Sequence, residues 1–471
     1  MATDILVLMA DQHRADWVGA YGADFVRTPT LDGLASEGVV FTQCVTTCPI
    51  CVPARTSFLT GQYPHNFGMW RNSGCVRNVN QTYLHPLRKA GFRTALVGKS
   101  HLHPHKKADL RDAKPYMHAL GWDDVLECTG PLATQTTPSM LTDWMKACGT
   151  YEIFLEDYRK RKEAKPKQAL WPSPLPDGKH MDDFIAQTAV DYVEQSDRSQ
   201  PLHLFVGLGG PHDPWDPPQR FDTYRSEDMP PPLPRDVAPD WLTGPALRHH
   251  EGLMSGNEAV TPEDWLRVRA LYSGRVEHVD HCLGRVLEAW VNARGRDTWI
   301  LFWSDHGEML GDKGRTHKEV FYRASVRVPA IIRPPEPQAR QIVCDGLCSI
   351  TDLSATVLDM AGCGDPGPNV FGRSLLPALD DPGCIGSGAV VSEIYDRTMI
   401  FDGRWKMVIN SNSDLLKLFD TLEDPGETVN LVGRPDVEEV ISHLRGELLR
   451  FLLRSADCQY TIEDKNSLDR R

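Results

Sequence analysis

The chain has 471 residues, a length that corresponds to about three domains or to one large α/β domain with an appendage. Charged residues make up 24% and hydrophobic residues 41%, with 37 Gly and 35 Pro spread along the chain, so disorder, collagen and coiled coil are excluded. The 51 Lys plus Arg against 64 Asp plus Glu give a net charge of −13, and no basic stripe offsets it, which argues against a nucleic-acid partner.

The first apolar run, Ile5 to Ala10, is far shorter than the roughly 20 residues that span a bilayer. Asp4 precedes it where an export signal would carry Lys or Arg, so a cytoplasmic protein without a membrane partner is expected. The run reads as a buried parallel strand that ends in the polar pair Asp11-Gln12. The same pattern recurs at Leu202 to Leu208 before Pro211-His212-Asp213, and at Trp299 to Trp303 before Ser304-Asp305-His306-Gly307. Thr30 to Gly38, Asp182 to Glu194 and Pro262 to Ala293 carry helical spacing.

Alternating strands and helices predict an α/β fold with a doubly wound, mostly parallel sheet, whose ligands bind at the carboxyl ends of the strands. Residues 130–180 and 215–260 interrupt the rhythm with Pro, charge and aromatics, and read as insertions over that edge. After Leu375-Leu376-Pro377 the pieces shorten: Ala389 to Ile394, Met399 to Phe401 and Trp405 to Ile409 precede a helical run from Val437 to Leu453. A catalytic domain over 1–380 and a smaller C-terminal α+β domain over 381–471, an antiparallel sheet closed by a helix, are expected.

Most of the 12 cysteines read as buried thiols. Cys48-Pro49-Ile50-Cys51 has the spacing of a redox or zinc pair, but no second pair at zinc spacing accompanies it. More informative is Cys51-Val52-Pro53-Ala54-Arg55, followed at once by Thr56-Ser57-Phe58-Leu59-Thr60-Gly61. This string and its surroundings resemble the sulfatases of the alkaline phosphatase superfamily. In that family the cysteine of the pentad is oxidised to formylglycine, whose hydrated aldehyde is the nucleophile.

The resemblance runs along most of the chain. It takes in Asp11-Gln12, Thr28-Pro29-Thr30-Leu31-Asp32, Gly98-Lys99-Ser100-His101-Leu102 and Pro211-His212-Asp213-Pro214. It continues through Ser304-Asp305-His306-Gly307-Glu308, Lys318 and Arg327-Val328-Pro329 to Leu418-Phe419-Asp420, Asp424-Pro425, Glu427 and Asn430-Leu431. It implies an alkaline-phosphatase-like fold, a formylglycine-generating maturation enzyme as a partner, and hydrolysis of a sulfate monoester to an alcohol and inorganic sulfate.

The chemistry of the residues agrees. A sulfate ester needs a nucleophile in line with sulfur, cations around its oxygens and an acid for the leaving alcohol. Cys51 precedes a predicted helix, whose free N–H groups favour an anion, and Arg55 stands one turn on, where it can hold the geminal diol. Asp11, Gln12, Asp305 and His306, with the side chain at Cys51, form a ligand set for one divalent cation. With that ion, Lys99, Lys318 and Arg55 against Asp11 and Asp305 leave about three net positive charges at the ester. By the resemblance, His212 with Lys318 protonates the leaving oxygen, and His101 takes a proton from the second hydroxyl to expel sulfate.

Many sulfatases carry Asp-Asp and Asp-Asn at the two ligand pairs. Asp11-Gln12 and Asp305-His306 resemble choline sulfatase and the phosphonate monoester hydrolases instead. Ca2+ is the expected ion, with Mn2+ as the alternative that an imidazole ligand raises. A phosphonate monoester or phosphodiester hydrolase with the same nucleophile is the second reading, and Lys99 with His101 favours the sulfatase over it. A third is a non-catalytic relative that binds a sulfated ligand. Homo-oligomerisation is left open.

Taken singly, each of these residues has a plainer role: Asp11 or Asp305 as a turn former, Lys99 as a solvated cation, Cys51 as a buried thiol. Trp70, Arg71 and Trp215 are candidates for substrate walls or for structural aromatics. His13, His65, His103, His105 and the pair His249-His250 receive no role.

Overall fold

The computed structural model describes residues 3–105, 108–166, 168–236, 257, 259–364, 370–386 and 388–456. Strand β1 (Ile5–Asp11) has the unbroken apolar run of a strand covered on both faces. Ile5, Val7 and Met9 enter one hydrophobic cluster, and Leu6, Leu8 and Ala10 enter another. Each cluster is closed by helices. Helices α1 (Pro29–Ser36), α3 (Met181–Gln195) and α4 (Pro262–Arg294) supply Leu31, Ile185 and Leu283 to one face. Helices α2 (Cys51–Thr60) and α5 (Ile350–Met360) supply Phe58 and Leu353 to the other.

The remaining strands of the main sheet are β2 (Val39–Val45), β3 (Arg93–Gly98), β4 (Asp124–Glu127), β5 (Leu202–Pro211) and β6 (Trp299–Ser304), followed by β7 (Arg327–Val328), β8 (Ala330–Arg333) and β9 (Ile342–Ser349). Among the described residues they form a nine-stranded sheet ordered β4-β3-β5-β1-β6-β8-β2-β7, with β9 also paired to β2. The run from β4 to β6 is parallel throughout, whereas β8 is antiparallel to both β6 and β2. The doubly wound, mostly parallel sheet expected from the alternation is present. Several strands lack the apolar signature: Thr42-Gln43 interrupts β2, Asp345-Gly346 interrupts β9, and β8 has only four residues.

A second sheet is antiparallel and four-stranded: β10 (Val390–Ile394), β11 (Arg397–Phe401), β12 (Trp405–Asn410) and β13 (Leu415–Asp420). Helix α6 (Glu438–Ser455) covers one face of it, packing Ile441, Leu444 and Leu448 on Val391, Ile400, Met407 and Leu418. The opposite face meets the main sheet through Val45, Cys48 and Leu347. Cys48 is therefore a core residue of this junction, which answers the question raised by its spacing from Cys51.

Residues 130–180 are helical in part, with Met140–Ala147 and Tyr151–Glu163 among them. Of the second insertion, residues 237–256, with His249-His250, lie outside the described residues. None of the described helices is long and apolar enough to cross a membrane.

Candidate active site

Strands β1 and β6 run side by side and parallel, with Ala10 opposite Ser304, so the residues that follow emerge together. Asp11, Asp305 and His306 are wholly buried there. Helix α2 begins at Cys51 on the same edge, and its first turn has no side-chain cap on the preceding residue. The Val52 N–H instead donates to Asn72 Oδ1 at 2.9 Å. Cys51 Sγ stands 3.1 Å from His306 Nε2 and 3.9 Å from Asp11 Oδ1. Nucleophile candidate and ligand candidates thus meet across 255 residues of chain because a helix N-terminus faces two strand ends.

Lys99 arrives from the end of β3, where β3 and β5 approach closely. Gly98 has φ 93°, and a Cβ on it would lie 2.2 Å from the Gly207 carbonyl oxygen, so only glycine fits the turn that delivers Lys99. The Lys99 ammonium contacts the Asp11 carboxylate. Arg55 sends Nε to Asp305 Oδ2 and Nη2 to Asp11 Oδ2, each at 2.8 Å, and Nη1 to the Lys99 and Ser100 carbonyls at 2.9 and 3.2 Å. Its fork is engaged with the two carboxylates, and its charge also acts on position 51.

The carboxamide of Gln12 lies between Lys318, which donates to its oxygen, and Glu308, which accepts from its nitrogen. Its backbone N–H donates to Asp305 Oδ1 at 3.1 Å, and its carbonyl accepts from the Tyr272 hydroxyl of α4 at 2.8 Å. Lys318 Nζ also lies 3.0 Å from His212 Nε2. The His212 Nδ1–H donates to the Asp213 carbonyl at 2.8 Å, which leaves Nε2 as the acceptor for Lys318. In this arrangement the transferable proton rests on Lys318, with His212 as its partner. His101 completes the ring around position 51 with a hydrogen bond to the sulfur.

Charge follows from these contacts. Burial alone would push the Cys51 thiol up, but Lys318, His306 and the contacts with His101 and His212 hold it well below the usual thiol range. Burial lowers the His101 imidazole to about 3, with His105 and Lys99 adding to the effect, so this histidine is a neutral base at physiological pH. The pocket is built for an anion at position 51.

The same residues fit a divalent cation. Ligand atoms of Asp11, Cys51, Asp305 and His306 all lie within 4.8 Å of one another. His306 donates Nδ1–H to the Gly307 carbonyl at 3.0 Å, which directs the lone pair of Nε2 at the cluster. Two carboxylates, one oriented imidazole and the side chain at position 51 form a coherent ligand set.

A cleft of about 570 Å³ opens beside these residues, with His212 and Lys318 in its wall together with Asn72, Tyr158, Trp215 and His317. Trp215 and His317 stack there with ring centroids 6.3 Å apart. Trp70 and Arg71 pair with Tyr395 of the second sheet, through the Trp70 carbonyl and a cation–π contact at 5.8 Å. The C-terminal part braces this wall: Glu427 accepts from the Arg323 N–H at 2.7 Å and contacts Lys406, fixing the segment that follows Lys318.

Comparison with known proteins agrees with this geometry. The family model described as Sulfatase matches residues 3–363, and that described as N-sulphoglucosamine sulphohydrolase, C-terminal, matches residues 311–453. The chain belongs to the sulfatase family. It is 28% identical over 477 residues to an arylsulfatase of Clostridium perfringens, covering 96% of this chain and 95% of that protein. It is 28% identical to a choline-sulfatase of Rhizobium meliloti, covering 92% and 83%. The phosphonate monoester hydrolase of Agrobacterium radiobacter shares the fold, with a TM-score of 0.79 at 23% identity over 96% of each chain. The fold is also that of a protein solved in complex with its substrate D-glucosamine-2-N,6-O-disulfate, with a TM-score of 0.74 at 21% identity, covering 98% and 99%. This sulfatase is accordingly a sulfuric ester hydrolase.

In this sulfatase Cys51, Arg55, Lys99, His101, His212 and Lys318 converge with Asp11, Gln12, Asp305 and His306. Sequence reasoning passed over Asp213, Glu308 and Asn72. Asp213 and Glu308 each stand one or two residues from a histidine already singled out, which was the available signal. Asn72 offered none, because its role rests on a single contact with the first turn of α2.

Proposed function

We propose that this sulfatase hydrolyses sulfate monoesters with a formylglycine derived from Cys51, using a divalent cation held by Asp11, Asp305, His306 and position 51, with Gln12 beside it. The observation that carries the reading is the placement of Cys51 Sγ at the head of α2, 3.1 Å from His306 and ringed by Lys318, His212 and His101. Oxidised, position 51 would supply a hydrated aldehyde, with one hydroxyl to attack sulfur and a second to expel sulfate and restore the aldehyde. A cation held there, Ca2+ in our reading and Mn2+ in the alternative, would supply Lewis-acid chemistry toward the ester and the nucleophile.

The chain's own residues do the rest. Lys99 places positive charge beside the ester, and Arg55 locks Asp11 and Asp305 in position. Lys318, sharing its proton with His212, donates to the leaving oxygen. His101, neutral at working pH, accepts the proton from the second hydroxyl. The wall of Asn72, Gln168, Asn257 and Thr316 suits a hydroxylated, sugar-like leaving alcohol. The pair Lys99 and His101, which the resemblance associates with sulfatases and not with the phosphonate monoester hydrolases, favours a sulfate over a phosphonate monoester. An aryl sulfate should therefore give a higher kcat/KM than the matching aryl phosphonate monoester, and a large preference for the phosphonate would refute the assignment.

Asp213 supplies a sharper test of the leaving-group assignment. Its Oδ1 lies 3.1 Å from His212 Nδ1 and 3.2 Å from His317 Nδ1, and thereby orients both imidazoles toward the cleft. Asp213→Asn should slow an alkyl sulfate on the order of 10² more than 4-nitrophenyl sulfate, because only the poor leaving group needs the proton. Equal losses on both substrates would show that His212 and Lys318 are not the acid.

A further inference from the structure

His103 and His105, which no step above uses, converge on Glu127 at the end of β4. His103 Nε2 lies 2.9 Å from Glu127 Oε2, and His105 Nε2 lies 3.9 Å from Glu127 Oε1. The three side chains are 9%, 4% and 4% exposed in the order His103, His105, Glu127, and their ligand atoms fall within 4.8 Å of one another. One further feature points to a cation: His105 Nε2 is buried and has no hydrogen-bond partner. Against the lowering effect of burial, the Glu127 carboxylate holds the His103 imidazole above its usual range, so positive charge is favoured between these two groups, and either a second proton on the ring or a metal ion supplies it.

We propose that His103, His105 and Glu127 form a second divalent metal site, for Zn2+ or an ion of the same borderline class, separate from the cluster at Cys51. Two imidazoles and one carboxylate are an established zinc donor set, with bonds of about 2.0 to 2.2 Å, which places tetrahedral ligands about 3.3 Å apart. The observed separations of 2.9 Å from His103 Nε2 to Glu127 Oε2 and 3.9 Å from His105 Nε2 to Glu127 Oε1 straddle that value, so a bound ion would draw the two imidazoles and the carboxylate together from within 4.8 Å of one another. The support around the ligands is in place. Ser100 donates its hydroxyl to Glu127, and Tyr116 packs edge-on against His103. The His105 ring stacks on His101 with centroids 4.8 Å apart, so an ion here bears directly on the orientation of the catalytic histidine. The site stands independently of whether Cys51 is converted.

The test is zinc stoichiometry on chelator-stripped, full-length protein, by calorimetric titration with zinc chloride and by elemental analysis after desalting. Wild type should hold one zinc equivalent more than His105→Asn and one more than Glu127→Gln, while Asp305→Asn, altered in the other cluster, keeps that equivalent. Zinc-soaked wild-type crystals should show an anomalous peak within bonding distance of His103 Nε2 and His105 Nε2. Equal zinc content in wild type and both folded variants would overturn the proposal. If either variant fails to fold, the crystals decide alone, and a map without that peak overturns it.

Discussion

Cys51→Ala should lose turnover of 4-nitrophenyl sulfate by on the order of 10⁵-fold or more while melting close to the parent, since the change removes the nucleophile and, from the encoded cysteine, only the sulfur atom of packing. Position 51 is 1% exposed and stands at the start of a ten-residue helix, where alanine is a good helix former. The loss is therefore assigned to chemistry, and equilibrium binding of a sulfated inhibitor should survive. Mass spectrometry of the peptide that spans Cys51, from protein co-expressed with a formylglycine-generating enzyme, should show loss of one sulfur and two hydrogens and gain of one oxygen. A fully active Cys51→Ala protein would eliminate the formylglycine mechanism. An unaltered thiol in a protein that binds sulfated ligands without turnover would instead support the non-catalytic reading.

The largest effect on stability is expected at Arg55. Its guanidinium is buried against two buried carboxylates, and its remaining donors close on backbone carbonyls. Arg55→Ala leaves Lys99 to compensate Asp11, but leaves Asp305 without its cation, a change that costs about 3 to 5 kcal/mol for a buried pair broken from one side. Arg55→Lys retains the charge yet cannot span Asp11 and Asp305 together, so it should recover part of the stability and little of the rate. Urea unfolding with and without saturating Ca2+ separates the contributions. A divalent ion at Asp11 and Asp305 would replace the lost positive charge, so the deficit of Arg55→Ala should shrink when the ion is added. A deficit that is the same with and without the ion would argue that no cation binds between these carboxylates.

Legibility along the chain followed the range of the interaction involved. The end of β1 could be read because six apolar residues followed by Asp11-Gln12 are a local pattern, and the same holds for β6 with Asp305-His306 and for β5 with His212. Helix α4 was legible from periodicity as Pro262 to Ala293, and the structure adds the Thr261 cap at its start and Gly295 at its stop. Strands β2, β8 and β9 were not, because polar residues within them or their shortness erase the apolar signature, and their pairing is decided by neighbours far away in the chain.

Order and spacing of motifs were enough to name the family and to gather the residues of the site, since each motif owes its form to a local requirement such as a strand end, a helix start or the tight turn at Gly98. The partners of those residues were beyond reach of any such pattern. Arg55 serves the carboxylates because helix α2 is held against β1 and β6 by packing, and Lys318 meets His212 because a loop after β6 folds back over the end of β5. Contacts of this kind arise when the core closes and brings together groups that the chain keeps hundreds of residues apart.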